Sequence, residues 1–125
     1  MKNILIRVDG SHSIGLGHIY RMKSLAEKLI ALGFRVSFVT RPDTVGATIL
    51  QKAEFEIFFQ IEDDTLISSK IFQKLSPNLI VFDILSTNSK QLSELREMST
   101  SPLLAFDDTG AGLKQADCVI NALVF

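Results

Sequence analysis

The segment Asp9-Gly10-Ser11-His12-Ser13-Ile14-Gly15-Leu16-Gly17-His18 places a carboxylate, two hydroxyls, two imidazoles and three glycines within ten residues of this 125-residue chain. Gly15 and Gly17 let backbone N–H groups approach a ligand closely. The helix expected to follow adds its unpaired N–H donors and the positive end of its dipole. Such a loop suits an anionic or polyoxygenated ligand. His18 falls in the first turn of that helix, where the dipole disfavours a second positive charge. Its imidazole is expected to be neutral near pH 7 and able to accept a proton, as a general base must. The plainer alternative is a histidine that caps the helix or packs on the loop. His12, mid-loop with no carboxylate in register, reads as solvated.

Three further carboxylates are expected at the same edge. Asp83 closes the apolar run Leu79-Ile80-Val81-Phe82, and Asp107-Asp108 close Leu103-Leu104-Ala105-Phe106, so with Asp9 they would gather where ligands bind. Taken singly, each serves equally well as an N-cap or a solvated loop residue. No His/Asp/Glu spacing enforces a metal site, and none is assigned. Arg21, three residues beyond His18 on the same helix, could contact a phosphate or carboxylate or form a salt bridge within the domain.

The elements that must hold these residues follow from hydrophobic period. Asn3 to Val8, Arg35 to Thr40, Phe55 to Ile61, Leu79 to Asp83, Leu103 to Phe106 and Cys118 to Leu123 read as strands. Between the first two, Ile19, Met22, Leu25, Ala26, Leu29 and Ile30 recur at spacings of three and four, and Gly33 supplies the stop. Weaker helical patterns cover Thr44 to Lys52, Asp64 to Leu75 and Ser89 to Met98, with Asn88 or Ser89 as N-cap of the last. Strands alternating with helices predict a three-layer α/β, Rossmann-like parallel sheet, in order 3-2-1-4-5-6 or else a flavodoxin-like order.

Several functions are excluded at this level. Gly15-Leu16-Gly17 begins like a dinucleotide fingerprint, but Tyr20 replaces the third glycine, where its ring would obstruct helix packing. The second strand also ends in Thr40-Arg41 rather than an acidic ribose partner. No Gly-Lys-Ser/Thr forms a Walker A loop. Thirteen basic against fourteen acidic residues, with no basic block, give no support for nucleic-acid binding. No apolar run approaches the roughly 20 residues that span a bilayer. The lone Cys118, among apolar neighbours, fits a small buried thiol in a reducing cytoplasm. The run Cys118 to Phe125 ends without a polar tail and reads as the edge of a single domain, residues 1–125, belonging to a longer protein.

At Arg7-Val8-Asp9-Gly10-Ser11, Ile14-Gly15-Leu16-Gly17-His18, Arg21 and Leu25-Ala26, the chain resembles the PseG/SpsG group of nucleotide-sugar proteins. That group includes the UDP-2,4-diacetamido-2,4,6-trideoxy-β-L-altropyranose hydrolase of pseudaminic acid biosynthesis and proteins of spore coat polysaccharide biosynthesis. The resemblance continues through Val81-Phe82-Asp83, Phe106-Asp107-Asp108 and Ala116 to Asn121. It implies the N-terminal half of a two-domain GT-B architecture similar to MurG, with the nucleotide held mainly by the second domain. It also implies that His18 is the catalytic base, activating water for attack at the sugar C1 and releasing UDP without metal or cofactor. Asp9, Gly10, Ser11, Gly15, Gly17, Arg21 and Asp83 are then the candidate substrate-binding or orienting residues, and the partner is a UDP-sugar. Weak homodimerisation through an apolar face near the cleft fits the same picture. Asp83-Ile84-Leu85-Ser86 departs from the His/Tyr-type continuation of the pseudaminic hydrolases, so the sugar itself is left open.

Overall fold

Six short runs rich in β-branched and aliphatic residues pair into one parallel sheet. They are β1 (Asn3–Val8), β2 (Arg35–Thr40), β3 (Glu56–Phe59), β4 (Leu79–Asp83), β5 (Leu103–Phe106) and β6 (Cys118–Ile120), in the order β3-β2-β1-β4-β5-β6. This is the Rossmann-like order rather than the flavodoxin-like one. The computed structural model describes residues 2–10, 15–61, 65–83, 89–106 and 118–120. The second half of the expected last strand, Asp107-Asp108, Asn88 and the side chain of Cys118 lie outside what is described.

The strands are apolar on both faces because helices cover both. Ile4, Ile6 and Val8 of β1 join Val36, Phe38 and Val81 under α1 (Gly17–Ala31) and α2 (Val45–Lys52), through Ile19, Met22, Ala26 and Leu50. On the opposite face Leu5, Val39, Ile80, Phe82 and Leu103 meet Phe72 and Leu75 of α3 (Ser69–Leu75) and Leu92 and Leu95 of α4 (Ser89–Met98). The period-two alternation along each strand thus feeds two separate cores, which makes a one-residue register slip costly on both sides.

Helix ends follow local chemistry. Thr44 caps α2 by accepting from the Ala47 N–H at 3.1 Å. The first helix stops where expected: Gly33 adopts φ +97°, its N–H bonds to Ile30 O, and Phe34 N–H reaches back to Leu29 O. That is the paired-carbonyl closure a left-handed glycine permits. The third helix is shorter than its periodicity implied. Residues 65–68 are not helical, Ser68 is the N-cap of α3, and Leu66 and Ile67 are buried in the core as a connecting segment. Two buried side chains hold that segment in place of helical bonds. Gln60 accepts from the Ser68 N–H at 2.7 Å and donates to Thr65 Oγ1 at 3.0 Å, and Arg7 Nε donates to Leu66 O at 2.6 Å. Strand β3 likewise ends at Phe59, two residues before the expected Ile61; the next residue, Gln60, still donates its N–H to Thr40 O while its side chain enters this clamp.

At the sheet margin Glu56 accepts from the Ser37 hydroxyl and from Arg35 Nη2 at 2.8 Å. Burial pushes this carboxyl up, but the Ser37 and Arg35 hydrogen bonds and the Arg35 and Lys74 charges outweigh it and hold it below its ordinary 4.5. A depressed carboxyl contributes stability above its unfolded value, and that contribution is lost as pH falls through the folded value. With the side chain 37% exposed, solvent screens the effect. Glu56→Gln is therefore expected to lower the urea midpoint slightly at about pH 7 and to match wild type at about pH 3. An equal difference at both pH values would remove Glu56 from the acid limb.

Candidate functional site

Val8 of β1 pairs in register with Asp83 of β4, so the glycine loop leaves β1 beside the carboxyl end of β4. This is where strand order reverses, with β2 to one side and β4 to the other, and where open α/β sheets form a ligand crevice. Residues 11–14 lie outside the described residues, so Ser11 and His12 have no assigned position.

The loop is anchored from below by an arginine that the sequence analysis left without a role. Arg7 is fully buried within an otherwise apolar strand. Besides Leu66 O, its guanidinium reaches Asp9 Oδ1 at 2.7 Å, Val8 O at 3.3 Å and Val39 O at 3.4 Å. Asp9 Oδ1 in turn accepts from the Arg41 N–H at 3.0 Å and from Thr40 Oγ1 at 3.4 Å. The pair therefore joins the ends of β1 and β2 to the segment before α3. Asp9 works here as a brace inside the domain.

Gly10 and Gly46 seat the loop against α1 and α2. The Gly46 N–H donates to Gly10 O at 3.0 Å, and a Cβ added at Gly10 would stand 2.3 Å from Ile19 Cγ1. Gly10→Ala should therefore displace a core side chain, at roughly 1–3 kcal/mol of the kind overpacking costs. Chemical denaturation reads this, and an unchanged midpoint would contradict the close approach. Gly15 faces open space but holds φ +97°, which favours glycine. Gly17, the first residue of α1, is also open to a ligand. Tyr20 does not obstruct the sheet as expected. It is 53% exposed, and the tight approach of α1 falls on Ile19 instead.

The N-cap position of α1 is Leu16, which makes no side-chain cap bond, so His18 does not occupy the capping position. Its Nδ1 lies 2.5 Å from Asp83 Oδ1. Arg21 Nη2 stands 3.2 Å from the same Nδ1, and a guanidinium can only donate, so the two neighbours ask opposite roles of it. The shorter contact is the one to the carboxylate, which can only accept; with the proton on Nδ1 and directed to Asp83, the neutral ring keeps its lone pair on Nε2 and the Arg21 contact is electrostatic rather than a hydrogen bond. Arg21 Nε donates to Asp83 Oδ2 at 3.0 Å and Nη2 to Oδ1 at 2.5 Å. Arg21 thus forms the intradomain salt bridge expected as one of its two options. The Arg21 guanidinium also lies over the Phe106 ring, 5.4 Å from its centroid. The Asp83 side chain is fully buried, whereas those of His18 and Arg21 are 21% and 28% exposed. A buried carboxylate that fixes the tautomer of a partly exposed imidazole is an arrangement suited to general-base chemistry.

The structure thus unites His18, Arg21 and Asp83 and sets Asp9 with Arg7 in a separate pair. Among the described residues, no three His, Cys, Asp or Glu side chains meet as a metal site. No helix of these residues is long and apolar enough to cross a membrane.

No family model matches the chain. It is 28% identical over 123 residues to the uncharacterized protein MJ1062 of Methanocaldococcus jannaschii, covering 97% of this chain and 25% of that protein. It is 26% identical over 121 residues to the spore coat polysaccharide biosynthesis protein SpsG of Bacillus subtilis, covering 94% of this chain and 34% of SpsG. The chain therefore spans between a quarter and about a third of the curated relatives it matches. Among solved structures, Acinetobacter baumannii MurG superposes with a TM-score of 0.73 at 14% identity, over 99% of this chain and 42% of that one. The chain is thus similar in sequence to SpsG over most of its own length and carries a Rossmann-like fold that matches part of MurG.

Proposed function

We propose that the intact protein processes a nucleotide sugar for surface-polysaccharide or nonulosonic-acid biosynthesis, as a UDP-sugar hydrolase whose general base is His18. The contact between His18 Nδ1 and the buried Asp83 carries this reading, because it leaves Nε2 of a partly exposed imidazole as the proton acceptor. Similarity to SpsG supports the polysaccharide setting. Water attacks the sugar C1, its proton passes to Nε2, and the C1–O bond to UDP breaks with the electron pair leaving on the phosphate oxygen. Asp83 orients the base, Gly15 and Gly17 leave room for the sugar, and Asp9 and Gly10 hold the loop. Ser11 is a substrate-binding candidate on its sequence position alone. The setting is cytoplasmic, in keeping with a single cysteine. Weak self-association would use exposed apolar side chains such as Tyr20 of α1.

The test is to incubate the intact protein with a panel of UDP- and CMP-sugars, with and without an acceptor, and follow nucleotide release. Release from one UDP-sugar without acceptor is expected. Strict dependence on an acceptor would make His18 the base for a hydroxyl group and the protein a glycosyltransferase, and no release under either condition would favour a sugar-binding module. Because the chain spans only between a quarter and about a third of its curated relatives, residues 1–125 by themselves are expected to fold, to show no turnover and to bind UDP weakly. Tight UDP binding by calorimetry would contradict a two-domain site.

A further inference from the structure

We infer that Arg21 is the counter-ion that keeps His18 neutral: it supplies the positive charge that the buried Asp83 carboxylate would otherwise draw from the imidazole. The inference rests on the proposed role of His18 as base and adds a positioning residue that acts through Asp83.

The argument begins with Asp83. Its side chain is fully buried at the end of β4, and a buried carboxylate must be paired with a cation or take up a proton. Two groups on α1 compete for that place. His18 Nδ1 stands 2.5 Å from Oδ1, while Arg21 spans both oxygens with Nε and Nη2. An arginine is charged at every relevant pH and its fork fits a carboxylate edge to edge, so it satisfies the demand permanently. The Phe106 ring at the end of β5 backs the guanidinium and holds it in place.

His18 is then left to donate one neutral N–H to Oδ1. Without Arg21, the same ring would be the only described cation source beside Asp83 and would take a second proton on Nε2. An imidazolium has no lone pair and cannot accept a proton from water. Among the described residues, the other charges on neighbouring strands are already committed. Arg7 of β1 and Asp9 just beyond it pair with each other, and the guanidinium of Arg41, just beyond β2, donates to Gln60 O and Ile61 O.

The test uses the intact protein labelled with 15N-histidine, in which imidazole nitrogen shifts report the protonation state directly and His18→Gln assigns the signal. Wild type is expected to show a neutral Nδ1–H ring at neutral pH. Arg21→Met is expected to show the imidazolium, with kcat about a hundredfold lower, KM within about twofold, and activity recovering as pH is raised. Arg21→Lys, which keeps the charge, should restore the neutral ring and most of kcat. A neutral ring in a folded Arg21→Met protein would overturn the inference, and a large rise in KM with kcat unchanged would make Arg21 a substrate ligand instead. Should Arg21→Met fail to fold, the double variant Arg21→Met/Asp83→Asn removes the buried charge as well and should fold; a double variant equally unfolded would assign Arg21 to packing and overturn the inference. If the nitrogen shifts behave as expected while His18→Gln keeps full turnover, the counter-ion role stands and the proposed function fails.

Discussion

Replacing His18 with Gln or Asn is expected to lower turnover of the intact protein by about 10² to 10⁴, the range a positioned general base supplies. The argument is geometric. The ring is held by Asp83, its Nδ1 is committed, and the side chain stays partly open at the carboxyl edge of the sheet. Gln and Asn keep a polar amide near Asp83 without a nitrogen able to accept a proton. Folding and ground-state binding of the nucleotide sugar should therefore change little, and the loss should fall on kcat and kcat/KM together. Single-turnover kinetics with the substrate found in the panel would read this. Near wild-type turnover by His18→Gln would return the histidine to a packing role.

The second large effect concerns stability. Arg7→Met should destabilise the domain by roughly 3 kcal/mol or more, within the range for breaking a buried ion pair by removing one partner. Met matches much of the aliphatic stem, so the cost is electrostatic and polar: Asp9 loses its counter-ion, and the carbonyl of Leu66 loses its close donor. Asp9 is 19% exposed, so water can reach it in part and the effect should stay near the lower end. Urea unfolding would measure it, and a double-mutant cycle with Asp9→Asn should show the two changes to be non-additive. A loss below about 1 kcal/mol, the size of a surface pair, would show that the brace is dispensable.

Much of the architecture was legible because it is written in short-range pattern. The alternation of apolar runs with a 3.6-residue period, the glycine after Leu32 and the threonine before Val45 each act within a few residues of themselves. The parallel α/β architecture and the end of α1 follow from them together with the handedness of βαβ crossovers, whereas the choice of the order β3-β2-β1-β4-β5-β6 over a flavodoxin-like one was made only in the tertiary structure. The exceptions have a common cause. The pattern from Asp64 to Leu75 is apolar enough for a helix throughout, yet Arg7, remote in sequence, and Gln60, eight residues before Ser68, claim the backbone of residues 66 and 68, and of the described residues 65–75 Ser69–Leu75 are helical.

The candidate site divides in the same way. The sequence by itself determined that a glycine loop, a histidine and strand-end carboxylates share one edge of a parallel sheet, because strand polarity and chain order suffice for that. Only the tertiary structure decided which cation meets which anion. Asp9 and Asp83 look alike as strand-end acids, but the first pairs with an arginine two residues away through the buried side of its own strand. The second meets Arg21 and His18 from 62 and 65 positions along the chain. A carboxylate carries no mark of its eventual partner. That choice is made by the packing of α1 across the β1–β4 junction, where a buried negative charge has to be matched by whatever positive group the fold brings within reach.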